Sequence, residues 1–80
     1  MIVLSKKTTR SETEVLEMAR DYFDGHFGLK KRDDIENCCV EFVSELGHVT
    51  VQVIPRGEKT ETIMRSREFD HQVKEFAQKL

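Results

Sequence analysis

Cys38-Cys39-Val40-Glu41-Phe42-Val43-Ser44-Glu45-Leu46-Gly47-His48-Val49-Thr50-Val51-Gln52-Val53-Ile54, residues 38–54, is the stretch whose reading decides the fold. Its hydrophobic period is two, the period of a strand with one face buried. Cys38, Val40 and Phe42 point one way, and Cys39, Glu41 and Val43 the other. Beyond a turn signal at Leu46-Gly47, Val49, Val51 and Val53 alternate with Thr50, Gln52 and Ile54. A two-residue loop at Leu46-Gly47 sets Ser44 against Val49, Phe42 against Val51 and Val40 against Val53. The apolar sets of the two strands then share one face, which a slip of one residue would destroy.

Working outward, Pro55 closes the second of these strands and Arg56-Gly57 turns the chain into a third, Lys59 to Arg65. A two-residue turn there brings Thr60, Thr62 and Met64 to the core; a three-residue turn would bring Glu61, Ile63 and Arg65. A helix is expected from about Ser66, with Phe69, Val73, Phe76, Ala77 and Leu80 as its apolar stripe. Upstream, Lys30 to Asp34 is polar and reads as a loop. Ser11-Glu12-Thr13-Glu14 is a capping box opening a helix whose inward side carries Val15, Met18, Ala19, Tyr22 and Phe23, widened by Leu16 and Phe27. Gly25 or Gly28 ends it. Residues 2–8 form a first strand, whose place in the sheet the sequence leaves open. The expected fold is a single α+β domain over 1–80, ordered β-α-β-β-β-α, an antiparallel sheet with both helices packed on one face.

Composition narrows the function. The chain has 80 residues, 38% of them hydrophobic and 35% charged, with a net charge of −2. One core of this size supplies a margin of only about 3–5 kcal/mol, so a partner surface would add stability. Basic and acidic stretches alternate along the chain, a dispersed pattern that favours neither nucleic acid nor an anionic membrane. Three apolar residues after Met1 are too few for a signal peptide or a span. Cys38 and Cys39 are adjacent, and strand neighbours point to opposite faces, so two reduced thiols and a cytoplasmic location are expected.

No residue set points to chemistry. His26, His48 and His71 lack the spacing of metal ligands, and Asp21, Asp24 and His26 read as a polar helix end. Cys39 has no base beside it to activate a thiol. Gly25 to Gly28 reads as a helix terminus rather than a phosphate loop. No catalytic residue, metal or cofactor is therefore expected.

The expected order α-β-β-β-α resembles, in topology alone, the double-stranded RNA-binding domain and the small ribonuclease toxins on the same plan. Such a resemblance implies cations at the start of the last helix, where this chain has Arg65-Ser66-Arg67-Glu68-Phe69-Asp70, two acids offsetting two arginines. Lys30, Lys31, Arg32, Arg65 and Arg67 are the residues an RNA contact would use. The stronger expectation is a protein contact through the open sheet face, with self or another protein. The predicted registers place Val43, Thr50 and Ile63 in one row and Cys39 and Ile54 in a second. A ligand pocket between the sheet and the C-terminal helix is a further alternative, disfavoured by the bulk of the inward side chains.

Overall fold

A computed structural model describes residues 1–80. The elements are β1 (Ile2–Thr8), α1 (Glu12–Phe23), β2 (Lys30–Ile35), β3 (Cys39–Val43), β4 (His48–Arg56), β5 (Lys59–Arg67) and α2 (Asp70–Lys79). The protein is an α+β fold with a five-stranded antiparallel sheet in the order β1-β5-β4-β3-β2, and two helices. The sequence anticipated four strands. β2 is the addition: Lys30 to Asp34 is an edge strand, not a loop, and all six of its residues are exposed. An edge strand with no buried face has no alternation to display. Its charges, and the register shift between Lys31 and Asp33, protect the edge from pairing with other chains.

Ser11 caps α1 as its sequence implies: its side chain accepts from the Glu14 N–H, and Glu14 reaches back to the Ser11 backbone. Asp24 ends the helix and Gly25 follows at φ 77°, where glycine carries no Cβ penalty. Phe27 lies beyond the helix at φ 58° and is exposed, so it does not extend the buried stripe. Leu29, two residues later, is buried in its place.

The β3–β4 hairpin has a four-residue loop, Ser44 to Gly47, rather than a two-residue one. Phe42 therefore faces Val49, and Val40 faces Val51. The cause is local: the Ser44 hydroxyl oxygen accepts from the Leu46 and Gly47 N–H groups, and the Ser44 N–H donates to the Gly47 carbonyl. A shift of two preserves the face, so Val40, Phe42, Val49, Val51 and Val53 are all buried. β5 turns at Gly57-Glu58, Arg56 facing Lys59, and buries Thr60, Thr62 and Met64 as expected. It runs on to Arg67, so α2 begins at Asp70 and not near Ser66.

α1 lies over β3 and β4, and α2 over β5 and β1. Phe23 joins the layers, its ring 5.5 Å from Phe42 and 5.3 Å from Phe76. Tyr22 stands at the rim with its hydroxyl on Glu75. β1 pairs with β5 at the edge far from β3. Two of its inward side chains bond carbonyls at the C-terminal end of α2: Lys6 Nζ donates to Ala77 at 2.7 Å and Thr8 Oγ1 to Leu80 at 3.0 Å. At the other edge, Arg20 of α1 grips Asp34 of β2 through two hydrogen bonds of 2.8 Å.

Cys38 and Cys39 are joined as a vicinal disulfide, contrary to the expectation of two free thiols. The expectation assumed both residues lay in a strand. Cys38 instead belongs to the turn Glu36 to Cys38, with Asn37 at φ 60° and the Cys38 N–H on the Ile35 carbonyl, so strand alternation does not separate the side chains.

Candidate interaction surface

The helices cover one face of the sheet and leave the other open. Cys39, Val43, Thr50, Ile54 and Ile63, the predicted surface, all lie on that open face and all are half-buried. Their rows differ from those expected. Val43 pairs with His48, Thr50 with Glu41 and Arg65, and Ile63 with Gln52. Val43, Thr50 and Ile63 thus run diagonally across three strands, at spacings of about 7–8 Å, rather than straight across. Cys39 lies in the row of Ile35, Gln52 and Ile63, and Ile54 faces Glu61. The longer β3–β4 loop and the later β5 turn account for both changes. Ile35, exposed at 51%, joins the surface and was missed because β2 shows no alternation.

Charge divides between the faces. One end of the open face carries Lys30, Arg32, Arg65 and Arg67, and the other carries Lys7, Arg56 and Lys59. Asp33, Glu41 and Glu61 stand among these seven cations on the strands, and Glu45 of the β3–β4 loop joins Arg32 and Arg67 at the rim. The rest of the molecule holds six cations and eleven carboxylates, five of them between Glu12 and Asp24. The dispersed charge of the sequence is in space a basic sheet face backed by an acidic helical layer. Two of the three face carboxylates are already engaged, Glu61 with Arg56 at 2.9 Å and Glu41 with Arg32 at 3.7 Å. Arg56 and the Ser5 hydroxyl together hold the Glu61 carboxyl below its usual range. Lys7, Lys30, Lys59, Arg65 and Arg67 form no ion pair.

Four of the five residues named for an RNA contact therefore share one end of the open face. The fifth, Lys31, turns to the helical side, where its ammonium lies 3.1 Å from Asp34. With Arg20, it draws the Asp34 carboxyl down to about 2. Arg65 and Arg67 sit in strand β5 and Asp70 opens α2, so Asp70 does not share their strand, whereas Glu68 directly follows Arg67. Alternation within β4 and β5 would have found Arg56 and Lys59; the Lys30 side required knowing that β2 exists.

Hollows of 330 and 470 Å³ lie at the same end of the sheet, around Val43, Ser44 and Leu46. The first is walled by Arg32, His48 and Arg67, the second by Phe27 and Lys30. Both are open to solvent at the surface. Between the sheet and α2 the space is filled by Met64, Val73 and Phe76, each without exposure. No three His, Cys, Asp or Glu side chains converge as metal ligands would. The Asp24 carboxylate instead accepts the Lys31 N–H at 3.0 Å. No helix is long and apolar enough to cross a membrane.

By fold the protein is a two-layer α+β domain with one uncovered sheet face. No family model matches the chain, and no curated protein matches it. Among solved structures it is similar to the solution structure of the Aha1 dimer from Colwellia psychrerythraea, at 10% identity and a TM-score of 0.55, over 91% of this chain and 85% of that one. At that identity the likeness is one of fold.

Proposed function

We propose that this domain is a non-catalytic protein-contact module acting through the open face of its sheet. The observation that carries the reading is the set of half-buried aliphatic side chains, Val43, Ile54 and Ile63, on a face that no helix covers. A sheet face turned to water normally alternates to polar residues, and Ile35 at the edge extends the departure. Interleaved arginines suit the same role, because arginine is enriched in protein interfaces while lysine is depleted.

Self-association is a second reading, supported by the dimeric state of the Colwellia structure. The test replaces Val43 and Ile63 with lysine and follows mass by sedimentation equilibrium up to about 1 mM, the range in which weak dimers form. The double variant should keep the wild-type circular dichroism spectrum and lose any concentration-dependent mass. A wild type that stays monomeric throughout rules out self-association.

A further inference from the structure

We infer that the occupant of the open face is an acidic segment of another protein, an inference that rests on reading this face as a protein contact. Seven cations here face four acids, Glu45 at the rim included, and two of those acids are spent on Arg32 and Arg56. Lys30, Arg65 and Arg67 are left without ionic partners around the half-buried Val43 and the imidazole of His48. Two such faces brought together would set arginine rows against each other, and like charges in a contact oppose association. Carboxylates facing Arg65 and Arg67 would be neutralised by planar guanidinium groups suited to bidentate pairing. Aliphatic side chains between those carboxylates would meet Val43, Thr50 and Ile63 along the diagonal.

A nucleic acid fits less well. The strands of the face carry no phenylalanine, tyrosine or tryptophan on which a base could stack, and the exposed Phe27 stands at its edge, in the hollow beside Lys30.

The test titrates the full chain into three labelled probes and reads fluorescence anisotropy. The probes are a Glu-Val repeat peptide, a Gln-Val repeat of equal length, and a double-stranded RNA. The Glu-Val peptide should bind most tightly and weaken as sodium chloride is raised, since exposed charges are screened by salt. Arg65→Glu with Arg67→Glu should lower its affinity at least about tenfold, a loss of roughly 1.4 kcal/mol. Lys74→Glu with Lys79→Glu, the same charge change on α2, should leave it within about twofold.

Tighter binding of the RNA than of either peptide would overturn the inference in favour of nucleic acid. Self-assembly that competes with the Glu-Val peptide would overturn it in favour of a second copy. Suppose the Gln-Val peptide binds as well as Glu-Val, loses affinity in Val43→Ser with Ile63→Ser, and ignores the arginine reversal. The acidic occupant is then wrong while the open face remains a protein contact. An intact fold that binds no peptide would overturn both.

Discussion

Replacing Thr62 with valine should stabilise the protein. Thr62 sits in the middle of β5, between Lys6 of β1 and Val53 of β4, with no exposed surface. Its hydroxyl oxygen has no hydrogen-bond partner. Two other buried hydroxyls on the sheet are served: Thr8 bonds the Leu80 carbonyl and the Arg10 N–H, and Ser66 accepts from the Phe69 N–H. A buried polar group without a partner costs about 1–3 kcal/mol, because folding strips its water and returns nothing. Valine keeps the β-branched shape and strand propensity and replaces the hydroxyl with a methyl of similar size.

The expected gain is about 1–2 kcal/mol at pH 7. In a domain of this length each kcal/mol moves Tm by roughly 4–8 °C, so the variant should melt roughly 5–15 °C higher. Urea titration should show a higher midpoint at unchanged slope, since no additional surface is exposed on unfolding. Thr62→Ser, which keeps the hydroxyl and removes the methyl, should instead fall by about 1 kcal/mol. A valine variant no more stable than wild type would mean that the hydroxyl is bonded in solution, and the reasoning would fail.

Thr8→Val tests the converse: it breaks two hydrogen bonds, so stability should drop by about 1–2 kcal/mol and amide exchange should quicken in the last turn of α2. Asp34→Asn should cost about 1 kcal/mol at pH 7, discounted for the 23% exposure of the side chain. The folded carboxyl titrates at about 2, below its value of 3.8 in the open chain. That contribution is therefore complete above about pH 4, and the gap between the two proteins in acid unfolding curves should close as pH falls towards 2. Gly47→Ala should lose about 1–3 kcal/mol by denaturant titration, because its Cβ would strike the Arg67 carbonyl, which is backbone and cannot swing away.

Why parts of this fold were legible, and others not, follows from the residues concerned. The buried faces of β3, β4 and β5 could be read because parity survives an error of two; the Ser44 turn moved the register without turning Phe42 outward. α1 declared itself through Ser11 and Glu14. α2 hid its start, because its N-cap is Phe69, which makes no side-chain capping bond, while Ser66, where the helix was expected to begin, is a buried strand residue. β2 was invisible because an edge strand wholly exposed has no period. That omission concealed the most consequential surface feature, since Lys30, Arg32 and Ile35 reach the open face only through β2 pairing with β3. The disulfide was missed for a related reason: strand geometry was extended one residue into a turn.

Net charge is a poor guide to what this molecule attracts. The total of −2 belongs to no surface that a partner meets. At physiological salt the Debye length is about 8 Å, and the shortest principal extent of the backbone is 16 Å. An approaching group on the sheet side is thus roughly two screening lengths from the carboxylates of α1, whose potential is largely lost there. It meets instead seven cations and, with Glu45 at the rim, four acids, two of which are already paired. Lowering the salt lengthens the screening distance until the acidic layer is felt across the molecule. Attraction of an acidic peptide should therefore rise less steeply at very low salt than the sheet cations alone would dictate. Neutralising the α1 acids by Glu12→Gln, Glu14→Gln and Glu17→Gln should restore the steeper rise while leaving affinity near 0.15 M almost unchanged. An effect of equal size at both salt concentrations would mean that the two layers act as one field, and the sheet face could no longer be treated as a basic surface in its own right.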